Sequence, residues 1–353
     1  MSNPKITVVL PCYHVEKYLP SIHSDLMAQT FQDFEIIYVN DEGGGEVSEL
    51  VHAFVDSSDR VMAVDKENGG VGSARNVGID KAHGEWIVFV DPDDRVEDCY
   101  LQKLYDAVAG TNLVLGIGGF KLYNVVQGSW TNFFLESDGK EADLCDIYNA
   151  QSVQYAFVWN KIYKTSFLRE HNIYFNDFSF AEDMNFNHRV YLLLDRVGVI
   201  KDCGYLYNKW EDSATYRYHA NYKYCNLENV ILKMELLKKF GKSEEDINRI
   251  YEKRLYSLSY NFVLNYFRYG SPLSFSQKRA KIEEEIFGDE KLMIALQKCD
   301  LSARNRQNFC ARLILRRNSW IIASVFTVLF CVKYNFTQLY YWFESHIVSP
   351  KAA

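Results

Sequence analysis

Five carboxylates in two places along the chain are the residues best equipped for chemistry. Asp91, Asp93 and Asp94 close the apolar run Trp86-Ile87-Val88-Phe89-Val90, with Pro92 among them. A run of this length reads as a strand buried on both faces. If the chain stays extended past it, Asp91 and Asp93 fall on one side by the two-residue period, and Pro92, having no N–H, discourages further pairing. Ligands of open α/β sheets sit outside the carboxyl ends of the strands, and Mg2+ or Mn2+ is commonly held there by one or two carboxylates with phosphate oxygens. The fork therefore suits a metal–diphosphate site, although Asp-Pro-Asp-Asp is also good chemistry for a solvated turn. The second group, Glu182-Asp183, stands just before Met184, Phe186, Val190, Tyr191 and Leu194, whose spacing predicts a helix. Acids at that position also complement the helix dipole with no other purpose.

Residues 5–110 supply the elements that must position these groups, alternating short apolar runs with amphipathic segments in the pattern of a parallel β-α-β-α sheet. Ile6–Leu10, Glu35–Val39 and Val61–Asp65 read as the first three strands. Val15, Tyr18, Leu19, Ile22, Leu26 and Met27 predict a helix over about 16–29. Asn40-Asp41-Glu42-Gly43-Gly44-Gly45 leaves the second strand through a turn whose glycines allow close approach to a ligand or only flexibility. Asn68-Gly69-Gly70 then feeds a helix with small residues at its start and Arg75 one turn on. Free N–H groups and an arginine make that helix start a natural place for phosphate, with Asn68, Gly70 and Arg75 as the contacts. No Gly-Lys-Ser/Thr follows, and the G-x-G-x-x-G spacing is absent, which disfavours a P-loop enzyme or a Rossmann dehydrogenase.

Four segments taken together, Pro11-Cys12-Tyr13-His14 through Leu19, Gln29-Thr30-Phe31 through Ile37, Asn68-Gly69-Gly70 through Gly78, and Val90-Asp91-Pro92-Asp93-Asp94, resemble the family 2 glycosyltransferases of GT-A fold over about the first 210 residues. The resemblance implies a Rossmann-like, mostly parallel sheet flanked by helices. It implies a Mn2+ or Mg2+ ion and nucleotide-sugar at Asp91 and Asp93, with Asp93 the direct metal ligand. Pro11 and Tyr13 would line the base and ribose site, Asp41 would read the uracil edge, and Arg75 would lie near the pyrophosphate. It places the catalytic base at Asp183, with Glu182 in reserve, and an inverting transfer from a UDP-sugar to a glycan or lipid-linked glycan hydroxyl in surface polysaccharide assembly. The segment Ala156–Lys164 resembles the one leading to the acceptor, where Trp159 would stack on a sugar; a core tryptophan is the other reading. The chain departs from the family at His14, where members read Asn, and at Asn40-Asp41-Glu42-Gly43, where they read Asp-Asp-Gly-Ser. Two competing classes are a nucleotidylyltransferase and a non-catalytic carbohydrate-binding or scaffold protein. The first would carry a glycine-rich, basic loop after the first strand, where this chain has Pro11-Cys12-Tyr13-His14.

Asn112–Phe120 reads as one further strand, and the aromatic stretch Trp130–Leu135 as a loop or β-ribbon. After about residue 210 long helical periodicities replace strand runs, near 222–240, 244–269 and 276–287, so domains of 1–210 and 211–353 are expected. Residues 301–333 carry Arg304, Arg306, Arg312, Arg316, Arg317 and Lys333 and no acid. The apolar stretch Trp320–Val332 falls short of the ~17–25 residues needed to span a bilayer. It suits helices over about 301–348 lying on an anionic membrane surface, or else a buried terminal helix or dimer contact. A net charge of -7 argues against nucleic acid as a partner. Eight cysteines without C-x-x-C pairing fit a reducing compartment. Ile6–Leu10 is too short for a signal-peptide core, so a cytoplasmic location, extending to the inner face of the membrane, is expected.

Overall fold

The apolar runs become the central strands of an eight-stranded sheet. In the computed structural model, which describes residues 3–125, 127–136, 141–150, 154–209 and 217–335, two compact units form, Met1–Glu211 and Asp212–Ala353. The strands of the first unit are β1 (Ile6–Cys12), β2 (Phe34–Asp41), β3 (Val61–Lys66), β4 (Trp86–Phe89), β5 (Arg95–Val96), β6 (Leu115–Gly118), β7 (Phe120–Asn124), β8 (Ser129–Phe133), β9 (Glu141–Asp143), β10 (Lys161–Lys164), β11 (Arg196–Ile200) and β12 (Tyr205–Lys209). The large sheet runs β3-β2-β1-β4-β10-β6-β11-β9, and a small one runs β5-β12-β7-β8. In the large sheet β3, β2, β1, β4, β6 and β11 point one way, with β10 and β9 opposed. Every residue of β1 and of β4 is buried, as expected for strands covered on both faces by helices.

The helices of this unit are α1 (Leu19–Met27), α2 (Gly45–Ser57), α3 (Gly70–Lys81), α4 (Tyr100–Asp106), α5 (Leu144–Ala150), α6 (Thr165–Glu170) and α7 (Glu182–Leu192). α1 buries Leu19, Ile22 and Leu26, the stripe its periodicity marks. α3 lies so close to the sheet that a Cβ on Gly78 would come within 2.2 Å of a Val9 methyl carbon. Gly45 begins α2, so only part of the triple glycine is turn.

The single strand expected over 112–120 is two, in different sheets. β6 belongs to the large sheet and β7 to the small one, and the chain crosses between them at Gly119. A Cβ there would lie 2.2 Å from the Lys201 carbonyl oxygen and 2.7 Å from that of Phe133, so only glycine fits the crossing. The stretch at Trp130 is β8, the edge of the small sheet.

The second unit is helical: α8 (Tyr222–Lys239), α9 (Glu244–Asn265), α10 (Phe275–Lys281) continuing as a π-helical turn Ile282–Phe287, α11 (Glu290–Lys298), α12 (Arg306–Leu315) and α13 (Ser319–Asn335). Ser243, Asp289 and Asn305 cap their helices, and Ser274 with Gln277 forms a capping box, so these starts are set locally. Among the described residues no helix is long and apolar enough to cross a membrane. The stretch 336–353 lies outside the described residues.

Candidate active site

Loops leaving β1, β2, β3 and β4 converge at their carboxyl ends. β1 pairs with both β2 and β4 in parallel, while the chain reaches β4 only after β3, so this edge is the topological switch point where open sheets hold ligands. Pro11 is buried in β1, whereas Tyr13 just beyond is 48% exposed. The Tyr13 ring leans on His14 at 4.2 Å. His14 (φ 52°) and Glu42 (φ 58°) hold left-handed backbone without being glycine, a strain that concentrates at functional loops.

Asp41, expected to read a base edge, is engaged within the protein. At the end of β2 its carboxylate accepts from Gly69 N–H at 3.0 Å and Gly70 N–H at 2.8 Å, and it pairs with Lys66 from the neighbouring strand. Its side chain is 3% exposed. The start of α3 is thus already capped by an internal carboxylate. Asn68 Oδ1 also accepts from Gly70 N–H, at 3.3 Å, and Asn68 N–H donates to Glu42 at 3.2 Å. The turn read as a phosphate cradle is held by the protein's own acids.

Arg75 is the hub. Its side chain is 3% exposed, yet Nη2 donates to Asp91 Oδ1 at 2.8 Å, and Nη1 donates to Glu182 Oε1 at 3.1 Å and to Asp183 Oδ1 at 2.5 Å. Nε is buried with no partner, and the guanidinium lies 5.3 Å from the Phe175 ring centre. Arg75 therefore anchors carboxylates, where the sequence suggested a hand for pyrophosphate. Burial alone would make the guanidinium easier to deprotonate, but Asp183, Asp91 and Glu182 hold it charged. Burial lifts Asp183 well above the usual carboxylate range; Arg75 opposes this, while Glu182 and Asp91 add to it. Three acids facing one cation leave a surplus of negative charge in a poorly solvated place.

α7 delivers Glu182 and Asp183 from a strained start, since Ala181 precedes them with φ 58°. Asn76 of α3 locks the approach, its amide donating to Phe175 O at 2.9 Å and accepting from Phe175 N–H at 2.7 Å. A Cβ on Gly72 would meet that of Phe175 at 3.1 Å, so the small residue lets the loop close down on α3. One turn along α7, Asn187 donates to Ala156 O at 2.9 Å and Phe157 O at 3.0 Å. The same segment is gripped by Lys161, fully buried in β10, whose Nζ donates to Gln154 O at 2.8 Å, Asn160 Oδ1 at 2.9 Å and Phe157 O. Burial holds the Lys161 pKa well below that of an ordinary lysine, with Asp183 partly offsetting this.

The acid turn after β4 is braced from behind by residues that carried no signal in the sequence. Tyr205 donates its O–H to Asp94 Oδ2 at 2.7 Å and accepts from Asp91 N–H at 3.2 Å. Asn208 N–H donates to Asp94 Oδ1 at 2.7 Å, and its amide donates to Asp93 O at 3.0 Å. Both come from β12, which pairs with β5 immediately after the turn. Burial, with Asp93 and Asp91 close by, raises the Asp94 pKa well above the usual range. Asp94 is thus the internal post of the turn, while Asp91 and Asp93 are only half-buried. Trp159, expected on a sugar, is 1% exposed. Its ring stacks on Tyr205 at 4.3 Å and Phe157 at 4.6 Å, so both faces serve the core and it backs the tyrosine that holds the acids.

Among the described residues no three His, Cys, Asp or Glu side chains are arranged to enclose a metal ion. A cation shared with a diphosphate needs only one or two carboxylates from the protein. The hard oxygen donors of Asp91 and Asp93, beside the unbalanced acids around Arg75, fit that kind of site for Mg2+ or Mn2+.

The profile of glycosyl transferase family 2 matches residues 7–181. Glycosyltransferase GlyG of Streptococcus pneumoniae is 32% identical over 215 residues, which cover 58% of this chain and 70% of that protein. The chain belongs to glycosyltransferase family 2. Glycosyltransferase GlyA of the same organism is 26% identical over 263 residues, 72% of this chain but only 37% of GlyA, so the chain spans little over a third of that relative. The crystal structure of Staphylococcus aureus TarS 1–349 in complex with UDP-GlcNAc superposes with a TM-score of 0.63 at 20% identity, covering 94% of this chain and 91% of that one. That likeness shows that the family 2 fold implied by the four segments is the one present.

Proposed function

We propose that the chain transfers a sugar, with inversion, from a UDP-sugar to a hydroxyl of a glycan or lipid-linked glycan in surface polysaccharide synthesis, at the cytoplasmic side of the membrane. The observation that carries this is the meeting of Asp91 with Glu182 and Asp183 on one buried guanidinium. It sets the strand-end acids of the donor side beside the acids of α7. Support for the nucleotide and acceptor class comes from the relatives: TarS was solved with UDP-GlcNAc and is named a poly(ribitol-phosphate) beta-N-acetylglucosaminyltransferase.

Breaking the anomeric bond builds negative charge on the leaving diphosphate and positive charge on the sugar ring. A divalent cation held by Asp93 and Asp91 would supply Lewis-acid stabilisation of that leaving group. Asp183 takes the proton of the attacking hydroxyl as general base, and Glu182 beside it stands in reserve. Arg75 orients the base and Asp91 together. Because the hydroxyl attacks the sugar directly, one displacement inverts the centre and no enzyme nucleophile is required.

Calorimetric titration with UDP, with and without Mn2+, tests the reading. Binding should require the ion, vanish in Asp93→Ala and persist in Asp183→Asn. Ion-independent binding, or none, would overturn it; metal-dependent UDP binding without turnover of any UDP-sugar would mark a binding protein that keeps the fold.

A further inference from the structure

We infer that α13 and the turn before it form a docking surface for an anionic lipid bilayer. One side of α13 is committed to its own unit: Ile322, Ala323 and Phe326 are buried, and the Phe326 ring lies 5.5 Å from Phe267 and 5.9 Å from Tyr260. The other side faces out. At about 100° per residue, Trp320, Ile321, Ser324, Val328 and Cys331 fall within a single arc of about 100°, and all five are exposed. Trp320 is 58% exposed, Ile321 43% and Val328 61%. The outward face of a helix packed on a water-soluble protein normally carries charge, and this one carries none. Phe275 extends the patch, its ring 5.5 Å from that of Trp320, while Arg279 covers part of the indole from 4.1 Å.

The rim says what would cover this face. Arg316, Arg317 and Asn318 make the exposed turn between α12 and α13, with Arg317 in left-handed backbone at φ 48°. Arg304 and Arg306 are exposed as well, no acid occurs from residue 301 to 335, and Glu283, which reaches the start of α13, accepts from Ser319 and pairs with Arg279 at 3.4 Å. A second copy of the chain docking face to face about a two-fold axis would bring these arginines against their own kind. Anionic headgroups complement them, while the tryptophan and aliphatic side chains enter the acyl boundary. The surface serves the lipid-linked acceptor of the proposed reaction, but its test requires no turnover.

Flotation of the full chain with phosphatidylcholine vesicles, and with the same vesicles containing phosphatidylglycerol, separates the outcomes. Binding should appear with the anionic lipid and weaken as salt rises. Each arginine near such a surface is worth about a fivefold change in partition, so R316Q/R317Q should lower binding about thirtyfold. W320S/V328S should lower it about tenfold or more through lost apolar insertion. Thermal melts of the variants report folding, and metal-dependent UDP binding on the same preparations reports the donor site, so lipid binding can fail while the donor reading stands, and the reverse. Equal binding to both vesicle types, no binding, or indifference to both double substitutions would overturn the inference. So would a dimer seen by light scattering that W320S/V328S abolishes.

Discussion

Tyr205→Phe removes one oxygen and tests whether the acid turn owes its shape to β12. That hydroxyl joins Asp94 Oδ2 and the Asp91 N–H, so its loss strands a buried carboxylate oxygen and a backbone donor together. Leaving a buried polar group unsatisfied costs about 1–3 kcal/mol. For a unit spanning Met1–Glu211, at roughly 2–4 °C per kcal/mol, melting should fall by roughly 2–12 °C. The turn should also lose its aim, weakening Mn2+-dependent UDP binding by about tenfold, which corresponds to about 1.4 kcal/mol. Tyr100→Phe is the matched control. Tyr100 is equally buried, and its hydroxyl donates to Trp159 O at 2.6 Å and not to an acid of the turn. It should lose about 0.5–1.5 kcal/mol of stability and leave UDP affinity unchanged. Thermal melts and calorimetry on both variants decide the matter. Unchanged melting and UDP affinity in Tyr205→Phe, or an equal loss of affinity in Tyr100→Phe, would refute the reasoning.

Asp183→Asn should separate stability from activity. Burial, reinforced by Glu182 and Asp91, lifts the Asp183 pKa from the ordinary 3.8. A raised folded-state pKa gives stability that is complete below the unfolded value and is lost as pH rises through the folded one. The variant lacks that loss, so it should melt above wild type at neutral pH by a margin that shrinks toward pH 3.8, while transfer falls about 10²–10⁴-fold; a variant less stable at every pH, or fully active, contradicts the assignment. Gly119→Ala drives a Cβ to 2.2 Å from the Lys201 carbonyl oxygen. Backbone cannot yield as a side chain can, so a loss of about 3 kcal/mol or more is expected in denaturant titrations, and an alanine variant of native stability would show that the crossing is not tight.

The central strands were legible because apolar runs as short as Ile6–Leu10 and Trp86–Val90 have one low-energy destination here, the middle of a covered sheet. Asp91 and Asp93 were legible as chemistry because they close a buried strand at the edge where ligands reach a sheet. What they bind was less so. An arginine one turn into a helix reads as a phosphate contact, and only the fold shows that Asp91, Glu182 and Asp183 reach Arg75 first. Asp41's partners were hidden for the same reason: Lys66 and the Gly69 and Gly70 amides lie on the next strand and helix. Tyr205 and Asn208 sit in no motif. The one clue was Asp94, since a third acid in so apolar a setting must find donors somewhere. Trp159 followed its less specific reading, that of a large ring in the core. The strand read over 112–120 failed at Gly119, where glycine marks a change of sheet that periodicity does not register.

The brace on the acid turn has a bearing on how little of this chain would suffice. The family profile stops at residue 181, whereas Tyr205 and Asn208 lie in β12, which ends at Lys209. A piece trimmed to the profile would keep the four donor-side segments but lose Glu182 and Asp183, and with them the strand that braces the acid turn. The smallest autonomous catalytic fragment should therefore reach at least Lys209, and relatives compared only by their shared signatures would miss the part that tunes the grip.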